Sequence, residues 1–439
     1  MHAGRRAGIT LYSLAIIAIA SSQPPAHAAP PPFPYVWATA CHVMPETTSE
    51  ESGYFSLCEG VDGSIYVGTA QYGVNSYLVE FDPERFTQKI VIDTRKVCGL
   101  SATGYAAQAK IHTRNSVAPS GTIYVGSKQG YRLATNDLSS YPGGYVMRYD
   151  PRTGRAANLG MPFPGQGIID VVVDEPRGLL YAVTCEDQHW LLGGLTNTSW
   201  RELGPILTPY ATTLIDSQGR AHTITREFEL ATYDPRKDAM KVRPILIDNK
   251  KFARASIASI PTWNLAPDGH TAYLILMNDP TLLAIDLAGT GKVKAVNCGL
   301  MARGPHPDSR CALSIGPDGR VWAIVRVDND TGFGKGYLHR LARYDPKTRV
   351  MEDLGVLAVK NPDFYDFKAG KPHSHGFHTL PDGTLTPLHA HMGLIVAADN
   401  TLYATILYPY TLLRIDAYRT RGIPRRRPLP PAAPAKPSR

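Results

Sequence analysis

Short apolar runs separated by turn residues recur along the whole chain. At seven places a two-residue turn is followed at once by a run dominated by apolar and aromatic side chains. A short turn rich in Gly or Asn, set between such runs, is the strongest local signal for a β-hairpin. The pattern therefore predicts seven hairpins, with turns at Asp62-Gly63, Ser120-Gly121, Arg177-Gly178, Gln218-Gly219, Asp268-Gly269, Asp318-Gly319 and Asp399-Asn400.

Most hairpins continue into a further apolar run that ends in Asp, often followed by Pro. Asp-Pro ends a strand and starts a turn, and a fourth short run stops at Leu-Gly in several copies. Four strands per copy and seven copies predict an all-β fold, a seven-bladed β-propeller with four-stranded antiparallel blades over residues 29–416. A β-sandwich or a solenoid fits this spacing less well, and runs with helical periodicity are nearly absent.

The last copy stops after its third strand, at residue 416. Residues 34–44, PYVWATACHVM, form an apolar segment that precedes the first hairpin. We expect this N-terminal strand to supply the missing strand and to close the ring, because closure removes exposed strand edges.

Both ends of the chain differ from the repeats. Residues 1–28 have the features of a signal peptide: a basic start, an apolar run over 9–20 and the small-residue site AHA at 26–28. We therefore expect a secreted or periplasmic protein without a membrane span, since no other apolar run is long enough to cross a bilayer. Residues 417–439 are rich in Pro, Arg and Ala, which predicts a disordered tail.

The formal charge of +8 comes from these two ends. The signal peptide contributes +2 and the tail +7, which leaves −1 for the residues between them. The overall charge therefore gives no argument for a nucleic-acid partner, and attraction to an anionic partner depends on a local cluster of cations.

Six cysteines in an exported chain permit up to three disulfides. Cys298 and Cys311 flank one loop and are the most plausible pair, while the other pairings stay open. No C-x-x-C motif is present, which argues against a zinc ribbon. The sequence contains no dinucleotide or phosphate-binding fingerprint, and a structural or axial metal ion stays an open alternative.

Polar residues accumulate in the loops that share one face of such a propeller. Alternation along the entry to the second blade places Lys110, His112 and Arg114 on one side. The entry to the seventh blade does the same for His389 and His391. A cluster of His suits acid–base chemistry or a transition metal, although each His can equally serve a structural hydrogen bond. The loops between second and third strands add Tyr72, Lys128, Tyr131, Arg132, Glu186, His189, Arg226 and Glu227.

The blade motifs are clearest between residues 105 and 235. They are KIHTRNSVAPSGTIYVGSKQGY (110–131), YPGGYVMRYDPRTGRAANLG (141–160) and REFELATYDP (226–235). These segments resemble the blade signature of secreted seven-bladed β-propeller polysaccharide lyases, with the ulvan lyases as the nearest comparison. Lys128 and Tyr145 stand where that family has His, so the chain resembles a diverged member.

The resemblance implies β-elimination from an acidic, uronate-containing polysaccharide. His112 matches the His of the family motif and would be the base, Tyr131 or Tyr145 the acid, and Arg226 the clamp on the carboxylate. Such a reaction needs positive charge or hydrogen-bond donors where negative charge develops. We further expect substrate contacts from Lys110, Lys128, Tyr72, His189, His389 and His391.

Two other function classes stay open. A non-catalytic propeller that binds a glycan or a protein fits the same fold, because fold does not fix function. A metal-dependent lactonase-type propeller would need Glu, Asn and Asp together at the axis, a set that the sequence does not clearly contain. In each case we expect a monomer.

Overall fold

A computed structural model describes most of the chain. The described residues are 30–49, 54–196, 199–247, 249–251, 260–361, 365–366, 371–372, 377–387, 391–407 and 409–429. For residues 365–366, 371–372 and 391–392 only the backbone is described. The predicted signal peptide and the side chains of His389 and His391 lie outside this description.

The regular secondary structure of the described residues is almost entirely β-strand, which confirms the predicted all-β fold. Strand β1 (Tyr35–His42) comes first, and the next four form an antiparallel sheet in chain order. These are β2 (Leu57–Glu59), β3 (Ile65–Gly68), β4 (Tyr77–Asp82) and β5 (Thr87–Asp93). Helix α1 (Thr94–Cys98) follows, and its N-cap Asp93 accepts a hydrogen bond from the Lys96 backbone N–H.

Five more antiparallel units follow, each built from strands that are consecutive in the chain. The second unit contains β6 (Lys110–Ile111), β7 (Ser116–Val117), β8 (Ile123–Lys128), β9 (Val146–Asp150) and β10 (Arg155–Asn158). The third contains β11 (Ile168–Asp174), β12 (Leu179–Thr184), β13 (Trp190–Gly194) and β14 (Trp200–Glu202). The fourth contains β15 (Leu214–Ile215), β16 (Ala221–Ile224), β17 (Glu229–Asp234) and β18 (Ala239–Ile247), with β19 (Lys250–Lys251) paired to β18.

The fifth unit contains β20 (Pro261–Leu265), β21 (Thr271–Leu276), β22 (Asp279–Asp286) and β23 (Val293–Leu300). The sixth contains β24 (Leu313–Ile315), β25 (Val321–Asp328), β26 (Tyr337–Asp345) and β27 (Val350–Val359). Four short strands come next: β28 (Tyr365–Asp366), β29 (Lys371–Pro372), β30 (Phe377–Thr379) and β31 (Leu385–Pro387). The chain then forms β32 (His391–Val396), β33 (Leu402–Ile406) and β34 (Thr411–Ile415).

Strand β1, the first in the chain, pairs with two strands from the C-terminal part of the chain. Its second half, from Thr39 to His42, pairs antiparallel with β34, so β32, β33, β34 and β1 lie side by side. Its first half, from Tyr35 to Ala38, pairs parallel with β27 of the sixth unit. The N-terminal segment thus lies where the last repeat lacks a strand.

The core consists of large side chains packed between neighbouring sheets. Trp190, Trp263 and Trp322 are almost completely buried and come from the third, fifth and sixth units. The turns in front of the second strands require a left-handed backbone, as at Gly63 with φ 79°. A side chain at Gly63 would also collide with the carbonyl oxygen of Arg425, so the fold needs glycine there. Within the residues described, no helix has the length and apolar character that crossing a membrane requires.

The predicted disulfide between Cys298 and Cys311 is wrong. Both residues are free thiols. Cys298 lies on the outer strand β23, whereas Cys311 forms a β-bridge with Gly393 and lines a cavity between first strands. Closeness in the sequence therefore does not bring the two sulfur atoms together, because the loop between them connects an outer strand to an inner one.

Residues 417–429, the described part of the segment in which we expect a disordered tail, contain arginines that make ion pairs. Arg419 pairs with Asp399 at 2.7 Å and Arg425 with Asp416 at 2.7 Å. Farther along, Arg426 pairs with Asp82 of the first unit at 2.9 Å. Composition shows that the segment is rich in arginine, but it does not show which carboxylates of the folded repeats lie within ion-pair distance.

Candidate functional site

The first strand of the second unit is broken in two, and the break carries the predicted site. Strands β6 and β7 both pair with β8, while residues 112–115 between them leave the ladder. At the break, the hydroxyl oxygen of Thr113 takes the place of a backbone acceptor: it accepts a hydrogen bond from the Gly126 N–H at 2.9 Å. Lys110 on one side of the break and His112 within it are each only 2% exposed.

Three tyrosine rings surround the ammonium group of Lys110. Its Nζ lies 4.2 Å from the ring centre of Tyr54, 4.7 Å from that of Tyr72 and 4.3 Å from that of Tyr131. The same Nζ donates to the Tyr54 hydroxyl at 3.2 Å. Cation–π attraction and this hydrogen bond compensate for the desolvation of the charge. These contacts fix the position of the Lys110 ammonium within the candidate site.

His112 is packed among aromatic rings. Its ring centre lies 4.4 Å from that of Tyr54, 5.0 Å from that of Phe55 and 6.0 Å from that of Tyr210. Neither ring nitrogen has a hydrogen-bond partner within the described part of the chain. Burial, and next the charges of Lys110 and Lys128, hold the pKa of His112 well below its usual value. The imidazole is therefore neutral at pH 7, and its unprotonated ring nitrogen has a lone pair that no described residue uses; burial makes this nitrogen a weaker base than that of an exposed histidine.

A cavity of about 350 Å³ opens beside His112. Among the described residues that line it, three have cationic side chains and none has a carboxylate, so this lining favours an anionic ligand. Burial raises the pKa of Tyr210 to about 12, which keeps this phenol protonated at neutral pH. The lining residues are Tyr105, Lys110, His112, Lys128, Gln129, Gly130, Tyr131, Arg132 and Tyr210.

Lys128 connects the cavity to the third unit. Its Nζ lies 2.8 Å from the sulfur of Cys185 and 3.8 Å from Oε1 of Glu186. The Glu186 carboxylate is also held by the Gln129 side chain at 2.7 Å and by the Gly167 N–H at 2.6 Å. The Glu186 carboxylate thus partly neutralises the positive charge of the Lys128 ammonium.

Four of the ten predicted site residues line this cavity: Lys110, His112, Lys128 and Tyr131. Tyr72 lies next to it, because its ring is 5.5 Å from that of Tyr131. The side chains of His389 and His391 lie outside the description.

The structure does not bring the other three to the cavity. Tyr145 precedes β9 and is not among the residues that line the cavity; burial, and next Cys98, raise its pKa. His189 is bound to Glu202 on outer strand β14 at 2.8 Å and is stacked on Phe163. Arg226 is exposed, with Nη2 3.5 Å from Oε1 of Gln188. The predicted roles of Tyr145 as acid and Arg226 as clamp therefore have no support from this geometry.

Sequence reasoning missed Tyr54 and Tyr210. Both lie in segments that lead into first strands, of the first and fourth units, which is the loop class that the repeat pattern marks as site-forming. Both have a left-handed backbone, with φ of 55° and 58°. A non-glycine residue in this conformation is uncommon, and such strain concentrates at functional sites.

A second, smaller cavity of about 80 Å³ lies between the first strands of several units, and Tyr210 separates it from the first cavity. Arg114 crosses this region and donates to the carbonyl oxygens of Thr213 at 2.9 Å and Trp263 at 3.0 Å. It thus links the second unit to the fourth and fifth units. Among the residues described, no three His, Cys, Asp or Glu side chains are grouped as a metal site requires.

Comparisons with known proteins identify similar folds only. No family model and no curated protein matches the chain. The extracellular domain of a one component system from B. thetaiotaomicron is similar with a TM-score of 0.53 and 11% identity over 87% of this chain. A second structure of the same B. thetaiotaomicron extracellular domain, described there as part of a hybrid two component system, has a TM-score of 0.52 and 11% identity over 86% of this chain.

This chain spans only 40% of the length of each of those two structures. The β-propeller domain of Cps50 (Swd1) from Myceliophteria thermophila matches 84% of this chain and 96% of its own, with 12% identity and a TM-score of 0.49. The described sheets, four-stranded and antiparallel in succession, make a propeller-like all-β fold.

Proposed function

We propose that this chain is an exported, monomeric seven-bladed β-propeller that binds an acidic saccharide in the His112 cavity and cleaves it by β-elimination. The observation that carries the proposal is a neutral imidazole beside a cavity whose described lining contains three cations and no carboxylate. Pairing of β1 with β34 supports a closed ring. Export is supported by the signal-peptide features of residues 1–28 and agrees with the extracellular domains among the similar folds.

The elimination needs three groups, and the cavity offers a candidate for each. The His112 lone pair accepts the C5 proton of a uronate, and the electrons of that C–H bond form the C4=C5 double bond. Lys128 stabilises the negative charge that develops on the carboxylate. The C4–O bond then breaks, and the leaving oxygen takes a proton from Tyr210 or Tyr131. Tyr210 replaces Tyr145 as a candidate acid because it lines the cavity.

The test is incubation of the full chain with a panel of uronate polysaccharides while the ultraviolet absorbance of unsaturated uronates is followed. We expect His112→Ala to lower turnover at least about 100-fold, the usual contribution of a general base. His189→Ala is the matched control and should leave turnover unchanged, because His189 is bound to Glu202 away from the cavity. Absence of product on every substrate, or equal loss in both variants, would overturn the proposed reaction.

A non-catalytic saccharide-binding protein is the second candidate. It is favoured by one observation, that both nitrogens of His112 are buried beneath aromatic rings. A binder would retain acidic oligosaccharides in His112→Ala and lose them in Lys128→Met, with no product in either case. Calorimetric titration of both variants distinguishes the two candidates.

A further inference from the structure

Lys128 and Cys185 form a contact between the second and third units that the proposed reaction does not use. Lys128 is the last residue of β8, and Cys185 follows the end of β12. The Nζ and sulfur atoms are 2.8 Å apart, within hydrogen-bond distance. The Lys128 side chain is 14% exposed, and Cys185 is partly exposed. Both residues thus have part of their surface in contact with solvent, and the sulfur lies next to an amine.

Lys128 partly offsets the effect of burial on the Cys185 thiol. Burial raises the pKa of Cys185, while the neighbouring Lys128 acts in the opposite direction. The ammonium can stabilise a transient thiolate, which is the form of cysteine that attacks peroxide. Cys98 differs in this respect, since burial alone raises its pKa to about 12.

We propose that hydrogen peroxide joins Lys128 and Cys185 through a sulfur–nitrogen bond. The thiolate first attacks peroxide, the O–O bond breaks, and Cys185 becomes a sulfenic acid. The released hydroxide takes a proton from the Lys128 ammonium and leaves as water. The neutral amine then attacks the sulfur, the S–O bond breaks, and a second water leaves. Sulfur is oxidised, peroxide is reduced, and the product is a sulfenamide that thiols reverse.

The bond would change the cavity as well as the pair. Lys128 is one of three cations in the cavity lining. In the sulfenamide its nitrogen carries no positive charge and stays tied to Cys185. Oxidation would thus weaken the binding of an anionic ligand, a consequence that rests on the proposed function. Formation of the bond does not rest on it.

Mass spectrometry of the peroxide-treated full chain, digested without reductant, tests the proposal. We expect one cross-linked peptide pair containing residues 128 and 185, two hydrogen atoms lighter than the sum of the separate peptides. It should disappear with dithiothreitol and in Cys185→Ser and Lys128→Arg. It should persist in Cys98→Ser, the matched control.

Three results would overturn the inference. One is a sulfinic or sulfonic acid at Cys185 without a cross-link. Another is a linkage heavier by one oxygen atom, which would be an N–O–S bridge. The third is an equal yield of cross-link in Lys128→Arg. Inactivity toward polysaccharides would affect only the proposed lyase reaction, because the cross-link is detected without any substrate.

Discussion

The Lys110 ammonium is surrounded by three aromatic rings, of which the repeat pattern identified two. Tyr72 and Tyr131 belong to loops between second and third strands, so their presence at the site could be predicted. Tyr54 precedes the first strand of the first unit without any polar alternation to mark it. Its left-handed backbone is a result of tertiary packing, which single-residue preferences cannot supply. Site residues were thus predictable where they followed the repeat and missed where packing alone positions them.

Buried histidines make the stability of the fold depend on pH. Burial keeps the pKa of His222 below its usual value against the opposing effect of Asp216, and Arg220 and Arg243 add to the lowering. His112 is likewise lowered by burial. Because the unfolded chain binds these protons more readily, the free energy of unfolding is highest above the unfolded pKa and falls as the pH drops through about 6.5.

We expect the free energy of unfolding in urea to decrease from pH 7 to pH 5, by at most about 1.4 kcal/mol per pH unit for each histidine. Asp170 partly offsets this loss, because burial raises its pKa to about 6 and its protonation favours the folded state. His222→Gln should have a shallower pH dependence than the natural chain. His306→Gln, at an 85% exposed side chain, is the control and should keep the full slope. A His222→Gln slope equal to that of the natural chain would contradict the expectation.

At the scale of elements, local pattern predicted the hairpins and missed the irregular strand. Each predicted turn lies in front of a strand, as Asp62-Gly63 lies in front of β3 and Asp399-Asn400 in front of β33. The break between β6 and β7 has no counterpart in the pattern, because it depends on the Thr113 hydroxyl replacing a backbone partner. The break takes His112 out of the strand ladder. The candidate site therefore lies on an interrupted strand.

Strand β1 gives a direct test at this scale. Deletion of residues 30–42 would expose the edges of both β27 and β34, which β1 now covers. Unpaired strand edges recruit other chains, so we expect the shortened protein to aggregate or to lose its cooperative thermal transition. Size-exclusion chromatography and calorimetry measure the two outcomes. Recovery of a stable monomer would show that β1 is dispensable. The control is Trp37→Ala, a change at a 41% exposed position of β1, and this variant should remain monomeric.

At the scale of the whole molecule, the charges of the C-terminal segment and of the first unit complement each other. Glu80 and Asp82 are almost fully buried, with exposed fractions of 4% and 5%. Arg426 pairs with both, and Arg427 pairs with Glu59 at 2.9 Å. From the sequence, we expect the basic charge to lie in a tail that is separate from the folded repeats. In the fold that charge neutralises carboxylates that would otherwise be buried without enough partners.

Truncation after residue 416 should therefore destabilise the propeller itself. Removing one partner of a buried ion pair costs about 3 kcal/mol, and the partial exposure of Arg426, at 33%, reduces that amount through solvent screening. We expect a lower urea midpoint for the truncated chain. Against the effect of burial, the Arg85 and Glu84 N–H groups and Arg426 hold the pKa of Asp82 below its usual value. The loss should therefore become smaller only as the pH falls below about 3.9, where Asp82 takes up a proton and no longer needs a cation. Truncation after residue 429 is the matched control and should keep the full midpoint.

A second variant separates charge from packing. In the chain that ends at residue 416, Glu80 and Asp82 keep only Lys89 and Arg85 as described ion-pair partners. The double change Glu80→Gln and Asp82→Asn removes the two negative charges that have lost Arg426 while preserving side-chain size. If charge is the cause, this variant recovers most of the lost stability, and added salt changes its midpoint less than that of the truncated parent. Should the double change leave the midpoint as low as in the truncated parent, the arginine segment would contribute through packing over Gly63 rather than through its ion pairs.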